Sequence, residues 1–230
     1  MSDKEEDNSI IRHSGNYGGI TQESKLWDDL KDYGEKKLLN LKIIKVRIYS
    51  GKFNDKDAIF GIGFTYKDLT NGKEIVVDHK GSDDFVDVKE IVIKQDEYLT
   101  DFHIRFTDEA EYISQLGYTT NNRNRILIGS EEGEDKYIKS NGGENVIIGT
   151  FGSFNKKLDS TGVLFINKKE YFKRLLNGIF ILRYLVKKKP EFKEEWDKKQ
   201  KDLPLDFQFI WRAVNLPEDR LLFQIIRFSI

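Results

Sequence analysis

The chain has 230 residues, 38% hydrophobic and 13% aromatic, with a formal net charge of -1 and no cysteine. This is enough apolar material for a buried core in one or two domains, and the missing cysteines exclude a disulfide framework, thiolate metal sites and a cysteine nucleophile. They also fit a reducing compartment. The acidic start, residues 1–13, has neither the apolar stretch of a signal peptide nor the Arg-rich character of a transit peptide, so it reads as a flexible N-terminus of a cytoplasmic protein. The most apolar run, residues 178–186, is broken by Arg183 and falls far short of the roughly 20 residues that span a bilayer. No membrane span is expected.

From about Leu41 to Phe165 the pattern is strand and turn. Ile43 to Tyr49 places apolar residues at 44, 46 and 48 between charges at 45 and 47, as a half-buried strand requires. Ile59 to Tyr66 leads through Asn71-Gly72 to Lys73–Val77, and Asn-Gly between two such runs predicts a hairpin with a type I′ turn. Further strands are expected at 88–93, 102–106, 126–128, 146–148 and 162–166. Many short strands with glycine turns argue for an all-β sandwich, barrel or prism. Gly18-Gly19, Lys80-Gly81 and Gly142-Gly143 recur at equal 62-residue intervals, a hint of threefold organisation.

After Ile166 the pattern becomes helical. Asn167 with Glu170 forms a capping-box pair, followed by apolar residues at three- and four-residue steps from Phe172 to Leu185. Of 18 glycines, 17 lie at or before Gly162, whereas the prolines are Pro190, Pro204 and Pro217, so the two parts of the chain are built differently. Residues 168–201 carry a net +7, and the stretch from Leu205 to Ile230 is densely apolar. Such a tail must pack on the β domain or on a partner. Lys187, Lys188, Lys189, Trp196 and Trp211 are its candidate docking residues, with the solvated face of lysine-rich helices as the plain alternative.

Chemistry-bearing motifs are scarce. There is no phosphate-cradling glycine loop, no nucleophile elbow and no His-Glu-x-x-His pattern, and His13, His79 and His103 are widely separated. The acidic run Glu131 to Asp135 lacks the alternation of a calcium loop and reads as a solvated turn. Asn121 to Arg125 is a polar loop without the aromatic platform or basic stripe that nucleic-acid binding needs. No catalytic residue, metal site or cofactor is expected.

Several stretches, in order, resemble the jacalin-related lectin family: Tyr17-Gly18-Gly19 before Trp27-Asp28-Asp29; the strand pair Ile43 to Gly51 and Ile59 to Tyr66; Glu90 to Ile93 leading to Asp96-Glu97-Tyr98-Leu99; Leu116 to Asn121; and Ile147 to Gly152 with Leu158-Asp159-x-x-Gly162-Val163. The resemblance covers residues 14–165. It implies a β-prism I of three four-stranded sheets, which would give the 62-residue spacing a structural reason, followed by an α-helical extension over 166–230.

The resemblance also implies a sugar site where the N-terminal glycine loop, Gly18 and Gly19, meets a Gly-x-x-x-Asp loop. There a carboxylate accepts hydrogen bonds from sugar hydroxyls and loop N–H groups donate to sugar oxygens. Here the aspartate is Asp159. Asn155 stands where the family has glycine, and asparagine tolerates the left-handed conformation. Lys156 and Lys157 stand where the family often has an aromatic. His79, Lys80, Gly81 and Ser82 would form a specificity rim. For Asp159 the competing role is a turn residue that holds backbone N–H groups. Two functions follow: a carbohydrate-binding domain for mannose-like hexoses through a weak or degenerate site, or a scaffolding subunit that docks protein partners through prism and tail in a larger assembly, cytoskeletal or axonemal in kind.

Overall fold

The structure, a computed structural model, describes residues 9–69, 71–82, 87–94, 97–107, 112–138 and 144–171. The chain divides into two compact units, Met1–Asn167 and Lys168–Ile230. In the second, residues 168–171 are helical, at the point where Asn167 and Glu170 predict a helix start. The rest of that expectation, including Lys187, Lys188, Lys189, Trp196 and Trp211, lies outside the described residues, as does the Gly142-Gly143 pair.

The first unit contains β1 (Ile11–His13), β2 (Tyr17–Gly18), β3 (Lys25–Asp28), α1 (Asp29–Tyr33), α2 (Glu35–Leu38), β4 (Leu41–Phe53), β5 (Lys56–Asp68), β6 (Glu74–Lys80), β7 (Asp87–Val92), β8 (Leu99–Phe106), β9 (Ile113–Thr120), β10 (Arg125–Gly129), β11 (Glu134–Ile138), β12 (Asn145–Phe154) and β13 (Leu158–Asn167). These form three sheets with one plan, each a long antiparallel hairpin with a further strand on either side. The second sheet runs β6-β5-β4-β7 and the third runs β10-β9-β8-β11. In the first, β12 and β13 form the hairpin, β3 flanks β12, and β1 with β2 lies along β13. Among the described residues one ladder pair, Ile147↔Leu99, joins the first and third sheets. This is the β-prism that the resemblance implies, and its first sheet closes with strands from both ends of the domain.

Four local expectations need correction. The prism begins before Ser14, because Ile11–His13 pairs with residues 164–166 and Ile11 is buried. Ile44 is only half-buried while Ile43 is buried, because a register shift between Ile43 and Lys45 flips the alternation at that point. The tight two-residue turn sits at Asn54 and Asp55, both left-handed (φ 52° and 63°), between paired Phe53 and Lys56. At Asn71-Gly72 only the glycine is left-handed; the Asn71 side chain accepts from the Lys73 N–H at 2.9 Å and makes a longer loop instead. Finally, Glu134 and Asp135 belong to β11 rather than to a turn, paired with Phe106 and Arg105.

The core is aromatic where the sheets face one another. Phe64 of β5 meets Tyr118 of β9 edge-on at 6.0 Å, and Phe102 of β8 lies 5.3 Å from Tyr118. All three are fully buried. Asp28 caps α1 by accepting the Leu30 N–H at 3.0 Å, which aims its neighbour Asp29 inward. Asp29 is 1% exposed, and its Oδ2 accepts from the Tyr66 hydroxyl at 2.5 Å and from the Thr150 N–H at 2.8 Å. Its Oδ1 lies 3.7 Å from Nε2 of His79, which stacks on Trp27 with ring centroids 4.5 Å apart. One carboxylate thus ties α1 to the first and second sheets. Burial, then the Asp29 charge, pushes the Tyr66 phenol well above its usual value of 10.0, and the same two causes act on Tyr118.

Asp29→Ala leaves the Tyr66 hydroxyl and Thr150 N–H buried without their acceptor and should lower unfolding free energy by about 2–5 kcal/mol in urea titrations; a change within error would refute the bridging role. Because both phenols hold their protons more tightly folded than unfolded, their stabilising contribution is complete below pH ~10 and is lost as pH rises above it. Absorbance at 295 nm should show these tyrosines ionising only together with unfolding. A reversible titration of every tyrosine in the folded protein would contradict this.

Candidate functional site

Three segments converge at one apex of the prism, around the turn that leads into β13 and its first residues. The first is the N-terminal loop. Gly18 pairs with Ser160, and the Gly19 N–H donates to the Asp159 carbonyl at 3.1 Å. Gly18 has φ 107°, and a Cβ there would lie 2.2 Å from the Asp159 carbonyl oxygen, so a side chain is excluded both by conformation and by space. The second is the turn joining β12 to β13, Asn155 to Lys157, closed by the Asn155 N–H donating to the Lys157 carbonyl at 3.0 Å. The third is the end of β6. A Cβ on Gly81 would sit 2.3 Å from the Lys156 carbonyl carbon, and the Ser82 N–H donates to the Lys156 carbonyl at 3.0 Å.

The sequence-predicted residues Gly18, Gly19, Asn155, Lys156, Lys157, Asp159, Gly81 and Ser82 are therefore brought together. Lys80 adjoins this group, its ammonium 5.7 Å over the Tyr49 ring. His79 is turned into the core, 8% exposed against Trp27, so its side chain does not face the rim. Asn155 keeps the turn without left-handed backbone: among the described residues the positive-φ positions other than glycine are Asn54, Asp55 and Arg123. Its Nδ2 donates to Glu23 Oε2 at 3.2 Å instead, tying the turn to the N-terminal loop.

Asp159 does not hold backbone N–H groups with its side chain. Its Oδ2 accepts from the Ser24 hydroxyl at 2.7 Å, its Oδ1 accepts from the Lys157 ammonium at 3.2 Å, and it is 3% exposed. Ser24 is held in turn by the Thr21 N–H at 2.9 Å. The Lys157 ammonium also lies 5.0 Å over the ring of Phe53, at the end of β4 in the second sheet. Ser24, Glu23 and Phe53 were not legible as site residues. A serine and a glutamate in a polar loop, and a phenylalanine at a strand end, carry no local mark of a partner more than a hundred residues away.

The threefold plan sets this apex apart from the other two. The Gly19→Asp159 bond recurs as Gly81→Phe60 at 3.1 Å and as Ser130→Ser114 at 2.9 Å. The 62-residue step from Gly19 to Gly81 is thus structural, whereas Ser130 takes the third equivalent place. At the position of Asp159 the other two apices carry Phe60 and Ser114, so neither offers a carboxylate there. Among the described residues no group of three His, Cys, Asp or Glu side chains could hold a metal ion, and no helix is long and apolar enough to cross a membrane. His103, on β8, is 9% exposed, lies 3.4 Å from Asp135, and has its pKa lowered chiefly by burial.

The family described as Jacalin-like lectin domain matches residues 14–164. Among solved structures, a mannose binding jacalin related lectin from Ananas comosus is similar with TM-score 0.55 and 20% identity, over 69% of this chain and 99% of that one. Malaysian banana lectin is similar with TM-score 0.53 and 22% identity, over 69% and 99%. Calystegia sepium agglutinin is similar with TM-score 0.55 and 19% identity, over 70% and 99%. No curated protein matches the chain.

Gly18→Ala separates space from conformation when set beside Gly34→Ala, since Gly34 is also left-handed (φ 73°) but has no atom within 4 Å of its added Cβ. Both should destabilise, Gly34→Ala by about 1 kcal/mol and Gly18→Ala by more, on the order of 2–4 kcal/mol. Equal melting temperatures for the two variants would show that the loop can lift off β13 freely.

Proposed function

Because the chain belongs to the Jacalin-like lectin domain family over residues 14–164, we propose that it is a non-catalytic carbohydrate-binding protein that takes a mannose-like hexose at the Asp159 apex, weakly. One observation carries this reading: three loops from separate parts of the chain meet around Asp159, two of them reaching its carboxylate through Ser24 and Lys157, while the end of β6 closes on the Lys156 carbonyl beside it. A carboxylate receives two hydroxyls of a hexose by charge-assisted hydrogen bonds. The Ananas comosus protein is described as mannose binding, which guides the choice of sugar. Weakness follows from Asp159 being buried and already accepting hydrogen bonds from Ser24 and Lys157. A ligand gains only the difference between its own hydrogen bonds and those it replaces.

The protein-docking reading of the C-terminal extension rests on the sequence pattern of residues 168–230, and cytoplasmic residence on the composition. Affinity purification from the source cell separates the two roles, since bound glycoconjugates support the first and a stoichiometric protein partner the second.

Calorimetry or NMR titration with methyl α-mannoside, other monosaccharides and oligomannose tests the sugar reading. Binding is expected at a Kd on the order of 1 mM, about -4 kcal/mol, and Asp159→Asn should abolish it. No heat and no shift for any sugar at tens of millimolar would overturn the carbohydrate reading.

A further inference from the structure

Lys157 is an unusual lysine. Its side chain is 12% exposed, whereas the adjacent Lys156 is exposed, and its ammonium is directed at two surfaces at once. On one side is Asp159 Oδ1 at 3.2 Å, two residues along and therefore on the same face of the chain as it enters β13. On the other is the Phe53 ring, its centroid 5.0 Å away. Phe53 comes from a different sheet, immediately before the left-handed turn at Asn54 and Asp55, and packs against a buried cluster of Tyr49, Ala58, Phe60 and Tyr112. The ring is thus held in place independently of Lys157.

A carboxylate facing an aromatic ring is the pair of surfaces that hexose recognition uses: hydroxyls donate to the carboxylate while the C–H face of the sugar lies on the ring. Lys157 satisfies both at once, by a charge-assisted hydrogen bond and a cation–π contact. We propose that Lys157 is a built-in occupant of the Asp159 sugar position, and that Phe53 is the second wall of the pocket it fills. The inference rests on the carbohydrate reading above and names what limits it. Lys157 is tethered two residues from its acceptor, so a free sugar competes with a group at high effective concentration. Removing the side chain vacates the position without touching Asp159, Ser24 or Phe53. The aromatic that covers the ligand comes from the β4–β5 hairpin, across a sheet boundary, instead of from the turn that contains Lys157.

Two measurements test this. Limited acylation with mass-spectrometric readout should modify Lys157 of the wild-type protein more slowly than Lys156, and saturating methyl α-mannoside should raise the Lys157 rate as the ammonium is displaced. Lys157→Ser should bind methyl α-mannoside about tenfold or more tightly than wild type, the scale of one ion pair with one cation–π contact. Adding Phe53→Leu should cancel that gain. Acylation of Lys157 as fast as Lys156 overturns the proposal even if Lys157→Ser fails to fold. A folded Lys157→Ser that binds no better than a sugar-binding wild type overturns it and leaves the carbohydrate reading standing. No binding by either form, with Lys157 protected, overturns the carbohydrate reading and this proposal together.

Discussion

The rest of the domain hangs on one buried carboxylate. Asp29 sits at the start of α1, where the N-terminal strands hand over to the second sheet, and receives a hydroxyl from Tyr66 of β5 and an amide from Thr150 of β12. A carboxylate at 1% exposure is tolerated only if its hydrogen bonds are made, and those bonds can be made only when the first and second sheets stand in their native relation. Its charge extends the constraint to Tyr118 in the third sheet. The centre of the prism is therefore apolar and aromatic, with Asp29 as a polar joint between its sheets. Trp27 and His79, stacked beside that joint, lead outward to the loops of the candidate site.

Closure of the first sheet has a direct functional consequence. β1, β2 and β3 come from residues 11–28 and flank β12 and β13 from residues 145–167. The Gly18-Gly19 loop therefore lands on Asp159 because the two ends of the domain are hydrogen-bonded to each other. The same geometry recurs at the other two apices, yet Phe60 and Ser114 stand where Asp159 would be. Repetition supplies three equivalent platforms, and at this position only the first of them carries a carboxylate.

At that position the proposed binding and the stability of the loops draw on the same atoms. Ser24 and Lys157 satisfy a carboxylate that is almost wholly buried, which stabilises the loop cluster and at the same time occupies the acceptors a ligand would use. Departures from the family pattern, asparagine at 155 and lysine at 157, are accommodated by new partners. Asn155 reaches Glu23 and Lys157 reaches Phe53, so the loop keeps its course while the chemistry facing the ligand position changes from a bare acid to an ion pair.

Much of the fold was legible in the sequence, because alternation and glycine placement are local properties. The strands of the second sheet and the 62-residue step from Gly19 to Gly81 follow from residue type and spacing, and Asp159 as the carboxylate of interest follows from the resemblance to the family's motif. Where local patterning misled, a bulge or a turn had shifted the register by one residue, as at Ile43–Lys45, or an asparagine side chain had replaced a left-handed backbone, as at Asn71. What only the tertiary structure decided is which groups meet Asp159. Ser24 lies 135 residues away in the chain and Phe53 in another sheet. Their contacts exist because the prism closes, and hydrogen bonds and ring contacts act over a few ångströms of space, a distance that residue spacing along the chain does not encode.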